Sequence, residues 1–275
     1  MGLNTNINSA RGMMNKQPLD VGLVGFGGFG RLIVRELAAH CDLTICDPAF
    51  SRALMPDGRR VPLQGLAEVA QCSIVILAVP VARMAHVCRA LAPHLRPGTL
   101  VVDVGSVKVA PIQDMRRHLP EHVEVLGTHP LFGPQSAKES VLGRKIALCP
   151  VRGSRWRRVA AFLKARGLEV IVTTADAHDR ELAMVQGVTH LIGKVLSDLG
   201  PLPERLTTAS FDLLREAVCM VQDDPPTVLH AIEVANPYAA EVREAFFAQA
   251  EEMRRQFETQ SDTHPTQPPQ VKLVG

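Results

Sequence analysis

Three glycines, Gly25, Gly27 and Gly30, stand in the spacing G-x-G-x-x-G between an apolar run, Val21-Gly22-Leu23-Val24, and a helical pattern, Arg31-Leu32-Ile33-Val34-Arg35-Glu36-Leu37. A turn of this kind suits a pyrophosphate. The first glycine permits the tight turn, the second lets phosphates approach the backbone, and the third lets the helix pack closely on its strand. The helix start adds unpaired N–H groups and the positive end of its dipole. Glycine-rich turns also serve as plain chain reversals, but here a strand, a helix and an acid all agree. Asp47 closes a second strand-like run, Asp42-Leu43-Thr44-Ile45-Cys46, at the ~20-residue distance where a carboxylate meets the ribose hydroxyls of a dinucleotide. The expected cofactor contacts are therefore Gly25, Phe26, Gly27, Gly28, Phe29, Gly30 and Asp47. A carboxylate there repels a 2′-phosphate, which favours NAD over NADP. Arg52, Arg59 and Arg60 follow closely and would accommodate that phosphate, and Asp47 also suits a plain turn before Pro48.

Other strand exits carry further chemistry, since ligands of open α/β sheets lie beyond the carboxyl ends of the strands. Val79-Pro80 is either a small apolar wall beside a nicotinamide or merely the end of a strand. Ser106 and Lys108, two apart in an extended segment, point to one side, unless they form a solvated loop pair. Gly127-Thr128-His129-Pro130-Leu131-Phe132-Gly133-Pro134-Gln135 is the most suggestive stretch. Pro130 restricts His129 to an extended conformation, so the imidazole is held in place. With an ordinary pKa of about 6.5, a fixed histidine is suited to take a proton near neutrality. A lone histidine is more often structural; the rigid Gly/Pro frame favours catalysis here. His178, Leu182, Gln186, His190 and Lys194 recur at i, i+4 and form one helical stripe, either a solvent face or the lining of a cleft. No metal site is expected, because His178 and His190 have no third ligand nearby in sequence.

The elements that position these residues follow from pattern. The 275 residues suffice for two domains, and 46% hydrophobic content supports a real core. A formal charge of +2 gives no electrostatic case for nucleic acid. No apolar run reaches the ~18 residues of a membrane span, and the polar start of the chain lacks a signal-peptide core. The six cysteines form no C-x-x-C pair and read as reduced thiols of a cytoplasmic protein. Residues 1–18 read as a disordered leader and 19–174 as a dinucleotide-binding domain. In the latter, strands and helices alternate as in a mainly parallel, doubly wound α/β sheet. Pro48–Pro62 reads as a loop, Glu124–Gly127 as a strand followed by a turn over Thr128–Gly133, and Ser154 as the N-cap of the helix Ser154–Arg166. From 175 to 258 the periodicity is purely helical (Asp176–Leu199, Leu206–Gln222, Thr227–Phe257), with Pro237 dividing the last segment. About 80 helical residues make a small independent core, so this part is expected to bury its apolar faces in a homodimer. Residues 259–275 read as a disordered tail.

The chain also resembles a known family, the prephenate and arogenate dehydrogenases of tyrosine biosynthesis. The resemblance rests on Val24-Gly25-Phe26-Gly27-Gly28-Phe29-Gly30, Asp103-Val104-Gly105-Ser106-Val107-Lys108 and, above all, Gly127-Thr128-His129-Pro130-Leu131-Phe132-Gly133-Pro134. It implies an NAD-dependent oxidative decarboxylation of prephenate, with His129 accepting the C4 hydroxyl proton as hydride moves to NAD. Ser106 would hydrogen-bond that hydroxyl or the histidine, and Lys108 would supply positive charge at the mouth. His190, in Thr189-His190, matches the family's substrate-contacting histidine. Arg215 is the nearest candidate for its carboxylate-holding arginine, in surroundings that depart from the usual pattern. Thr128 and Gln135 belong to the substrate-side motif. Lys145 stands about where arogenate-using relatives carry an acid, which favours prephenate, unless it simply faces solvent. The rival readings are arogenate or dual specificity, a hydroxy-acid dehydrogenase using Lys194, and a non-catalytic NAD-sensing module.

Overall fold

The computed structural model describes residues 19–263. The leader at 1–18 and the tail beyond 263 lie outside them. The apolar runs form β1 (Leu19–Val24), β2 (Cys41–Cys46), β5 (Ile74–Leu77), β6 (Leu100–Asp103), β7 (Glu124–Pro130), β8 (Lys145–Arg152) and β9 (Glu169–Val172). These make one seven-stranded sheet in the order β2-β1-β5-β6-β7-β8-β9. All neighbours are parallel except β7 and β8. The Rossmann-type, mainly parallel sheet is thus the architecture that alternating strand and helix patterns imply.

The central strands are buried on both faces, so their side chains sort by the two-residue pleat. Val75, Leu77, Val101 and Val125 face the core under α3 (Met84–Leu91) and α4 (Val109–His118). Ile74, Ile76, Leu100, Val102 and Leu126 face the other way, toward α1 (Gly28–Leu37) and α5 (Trp156–Ala165). A short α2 (Leu66–Val69) covers β1, where Gly22 has no room for a Cβ beneath the Val69 carbonyl.

Three local expectations need correction. Pro48–Pro62 is more than a loop: β3 (Arg52–Leu54) and β4 (Arg60–Pro62) pair antiparallel around the turn at Gly58, whose φ is +84°. Ser154 gives no side-chain cap, because α5 starts at Trp156 and its N-cap position is Arg155; only the Ser154 carbonyl accepts, from the Arg157 amide at 3.2 Å. Strand β7 runs through Pro130 rather than stopping at Gly127, because β8 pairs with it to the end, His129 opposite Ala147 and Pro130 opposite Ile146. Proline is tolerated there because β6 ends opposite Gly127, so β7 is an edge strand on that side at Pro130.

Beyond β9 the chain is purely helical: α6 (Ala175–Leu182), α7 (Thr189–Asp198), α8 (Ala209–Val221), α9 (Pro226–His230) and α10 (Ala239–Thr263). π-helical turns at Ala183–Val188 and Ala231–Ala235 interrupt them. The second ends at Asn236, extended at φ −76° and ψ 118°, as a residue before proline must be. Helix α10 continues to Thr263, past the expected start of a tail at 259. Among the described residues no helix is long and apolar enough to cross a membrane, and no group of three His, Cys, Asp or Glu is placed to hold a metal.

Candidate active site

The glycine turn is built as its spacing requires. Gly25 has φ +102°, and a Cβ there would sit 2.2 Å from the Ala78 carbonyl oxygen. A Cβ on Gly30 would lie 2.1 Å from the Gly25 oxygen, so α1 can pack on β1 only without one. Around Gly27, by contrast, a Cβ would meet nothing within 4 Å. That opening, at an α1 N-terminus with no side-chain cap, fits a pyrophosphate and leaves backbone donors for it. Asp47, at the end of β2, accepts hydrogen bonds from the Phe26 amide (2.7 Å) and the Ala49 amide (2.8 Å). Those bonds fix its carboxylate beside the turn and leave lone pairs for ribose hydroxyls. Arg31 packs its guanidinium 5.4 Å and 5.2 Å from the Phe26 and Phe50 ring centres, bracing the same corner. Val79 lies against Gly25, its Cγ1 3.4 Å from where a Cβ would be, and Pro80 is exposed beyond it. Gly28 and Phe29 open α1, with Phe29 packed under Phe132.

The second centre grows from the pleat of β7. Val125, Gly127 and His129 share the face covered by α4, and Gly127 leaves space there for Ile112 and Asp103. His129 is 3% exposed, and its Nδ1 lies 2.9 Å from Nε2 of His178 on α6. His178 Nδ1 is 2.7 Å from Oδ1 of Asp179. That carboxylate also accepts the Lys108 amide at 2.7 Å and the Val109 amide at 2.8 Å, so it caps α4. A carboxylate engaged by two backbone amides is an acceptor, so His178 donates from Nδ1. Assigning the ring proton of His178 to Nδ1 makes its Nε2 the acceptor and the His129 Nδ1 the donor. The network leaves the free lone pair of His129 on Nε2. Burial, then His178, then the Lys108 charge hold the His129 pKa well below the usual histidine range.

Beneath this group lies a buried ion pair. Lys108, fully buried, donates through Nζ to Asp103 Oδ1 and to the Thr128 carbonyl oxygen. Burial pushes the Asp103 carboxyl up, opposed by Lys108 and by the Gly105 amide at 2.9 Å. Its Oδ2 is buried without a hydrogen-bond partner.

Several expected substrate contacts are placed differently. Lys108 opens helix α4 with φ −117° and ψ −35°, so it neither continues an extended segment with Ser106 nor stands at a mouth. Its charge goes under β7 because Asp103 is the acid available to it there. Thr128 points to the opposite pleat face, its hydroxyl donating to the Asp103 carbonyl oxygen at 2.7 Å. Ser106 is half-buried on the β6–α4 loop, and Gln135 is exposed past β7. Lys145 is exposed at the start of β8. Antiparallel register puts Ala147 opposite His129 on the same face, and Lys145, two residues away, shares that face. The stripe of α6 and α7 splits, because the π-helical turn between them rotates α7 relative to α6. His178 turns to His129, His190 bonds Asp224 at 3.1 Å and the Gln186 carbonyl at 2.9 Å, and exposed Lys194 pairs with Asp198. Arg215, on α8, pairs with Glu204 at 3.3 Å rather than joining the His129 group. Sequence reasoning missed His178 as the partner of His129, Asp103 as the partner of Lys108, and the roles of Asp179 and Asn236. The one local signal was an adjacent His-Asp pair at the start of a helix.

An open backbone at the N-terminus of α1, an acid fixed at the end of β2 and a buried histidine on β7 mark a Rossmann-type, dinucleotide-binding fold with an all-helical second part. A family profile described as "Prephenate dehydrogenase, nucleotide-binding domain" matches residues 60–172. A probable arogenate/prephenate dehydrogenase of Methanocaldococcus jannaschii is 34% identical over 66% of this chain and 42% of its own length. Arogenate dehydrogenase 2, chloroplastic, of Arabidopsis thaliana is 30% identical over 81% of this chain and 65% of its own. The chain thus spans about two fifths to two thirds of these relatives. In fold it is similar to the prephenate dehydrogenase of A. aeolicus crystallised with hydroxyphenyl propionate and NAD+, with a TM-score of 0.66 at 18% identity, covering 90% of this chain and 93% of that one. The chain belongs to the prephenate and arogenate dehydrogenase family.

Proposed function

We propose that this chain catalyses the NAD-dependent oxidative decarboxylation of prephenate to 4-hydroxyphenylpyruvate, with His129 as the base. The observation that carries the reading is the hydrogen-bond order Asp179–His178–His129, which leaves Nε2 of a buried, neutral histidine free to accept a proton. Bound NAD supplies the hydride acceptor. His129 takes the C4 hydroxyl proton as the C4 hydride departs, and His178 with Asp179 stabilises the charge that develops. The ring carboxylate leaves as carbon dioxide, its bonding electrons complete the aromatic ring, and the proton returns to the phenolic oxygen. Protein groups serve mainly to hold donor and acceptor in register.

Cofactor choice follows Asp47, whose carboxylate accepts ribose hydroxyls and repels a 2′-phosphate. Half-buried Ser106 lies where β6 exits and is assigned to the substrate hydroxyl. Residues 19–174 form the dinucleotide-binding domain and 175–258 the helical one, which pairs two copies into a homodimer that supplies the remaining substrate contacts, His190 and Arg215 among them. The thiols of Cys88 and Cys149, their pKa pushed up to about 12 by burial, stay protonated and unreactive, and the absence of any C-x-x-C pair carries the reading of a reduced, cytoplasmic protein.

A second reading, arogenate as substrate, is favoured by the names of the relatives in Methanocaldococcus and Arabidopsis. Lys145 separates the two. A cation on the His129 face repels arogenate's ammonium and attracts the carboxylates of either substrate. The wild-type chain is therefore expected to show the higher kcat/KM with prephenate, and Lys145→Asp to move the ratio toward arogenate. Equal efficiency on both substrates, unmoved by the substitution, removes Lys145 from the site.

A further inference from the structure

The proposed base depends on where α6 sits, and the segment Asn236-Pro237-Tyr238 grips α6 on both sides of His178. Asn236 is 3% exposed at the end of the second π-helical turn. Its Nδ2 donates to the Asp179 carbonyl oxygen at 2.8 Å, and its Oδ1 accepts the Tyr238 amide at 2.9 Å. Both ends of the carboxamide are used. Tyr238 in turn donates its hydroxyl to Asp176 Oδ1, and the Arg180 guanidinium lies 4.2 Å from its ring centre. Asp176, Asp179 and Arg180 bracket His178 in the sequence of α6, so the three contacts fix both the position and the rotation of that helix.

Neither α6 nor its own continuation would do this. The α-helix gives way to a π-helical turn directly after Leu182, and the Asp179 carbonyl stands near that junction. It accepts the Ala183 amide as well as the Asn236 carboxamide. A rotation of α6 there would take the Asp179 carboxylate off the α4 amides and His178 off His129.

We propose that Asn236 and Tyr238 are positioning residues for the base, a buckle from the helical part that holds His178 and Asp179 in line with His129. This rests on the reading of His129 as base, and it adds the residues that set the base's tautomer from a distant segment. Because Pro237 holds Asn236 extended, the buckle is preformed rather than induced by ligand. The titratable or charged groups around His129 are His178 and Asp179 from α6, Lys108 at α4, Asp103 from β6, and Cys149 and Lys145 from β8, where Cys149 stands opposite Gly127 and exposed Lys145 shares the same face.

The test uses the full chain with Asn236→Ala and Tyr238→Phe, the latter removing a hydroxyl while keeping the ring under Arg180. Asn236→Ala should lower kcat tenfold or more with KM for NAD within twofold of wild type. The acid limb of kcat/KM should move up toward the ordinary histidine range, because loosening α6 admits water to His129. Tyr238→Phe should shift both in the same direction by a smaller factor. Tyr238 is half-exposed, so this variant carries the test if Asn236→Ala fails to fold. ¹⁵N-histidine NMR reads the buckle without any substrate. Wild type should show His129 protonated on Nδ1, and the variants should lose that single tautomer while NAD binding persists. That spectral change upholds the buckle even if the chain turns over neither prephenate nor arogenate. Unchanged kcat, acid limb and histidine spectrum in a folded variant would overturn it. So would a loss of melting temperature and NAD affinity that leaves the histidine spectrum intact.

Discussion

His129 owes its proposed basicity to neighbours remote from it in sequence. Burial and the approach of His178 and Lys108 keep it neutral, and Asp179 orders the protons along the row. Replacing it with asparagine should lower kcat by about 10²–10⁴-fold and leave NAD affinity nearly unchanged; an equal loss of NAD binding would point to a folding role. The same depressed pKa bears on stability. Between its folded pKa and the unfolded value of about 6.5, the unfolded chain holds a proton that the folded chain does not. Stability should therefore fall as pH drops below about 6.5, and His129→Asn should flatten that slope in a melting-temperature series. Lys108 makes a separate prediction. It is fully buried against Asp103, so Lys108→Ala should destabilise by about 3–5 kcal/mol, the cost of leaving a buried charge unpaired. A stable variant with a raised substrate KM would return Lys108 to the mouth of the site.

At the scale of elements, the β1–α1 turn was legible because each glycine answers a different steric demand within a few residues. Gly30 lies under the Gly25 oxygen, whereas Gly27 faces open space. Gly27→Ala should thus change stability by no more than about 0.5 kcal/mol while sharply weakening NAD binding, and Gly30→Ala should damage the fold itself. Equal effects on both readouts at both positions would remove the assigned division of labour. His129 was legible through Pro130, but its setting was not. The extension of β7 to Pro130 depends on pairing with β8 across the intervening loop, and no local pattern announces a pairing partner. The stripe on α6 and α7 failed for a similar reason. A π-helical turn inserts a rotation that regular i, i+4 spacing does not contain, so His178 and His190 part company.

For the molecule as a whole, the parallel sheet was readable from alternation, and the helical part from the loss of strand pattern after Thr174. The contact that joins them was not, since Asp179 capping α4, like Asn236 holding Asp179 within the helical part, links segments far apart in the chain. The helical part leaves Met184, Val185, Leu199, Leu206, Leu213 and Val234 exposed, more apolar surface than a lone helical unit this small is expected to show. Sedimentation should accordingly report a dimer at micromolar concentration; a monomer mass that does not change with concentration would contradict the homodimer.

The central claim is most directly tested by absorbance at 340 nm with NAD and prephenate, comparing the wild-type chain with His129→Asn and then substituting a 3-hydroxy acid. NADH should form with prephenate in the wild type, fall by about two orders of magnitude or more in the variant, and not form with the hydroxy acid. Turnover of the hydroxy acid, or wild-type rates from His129→Asn, would contradict it.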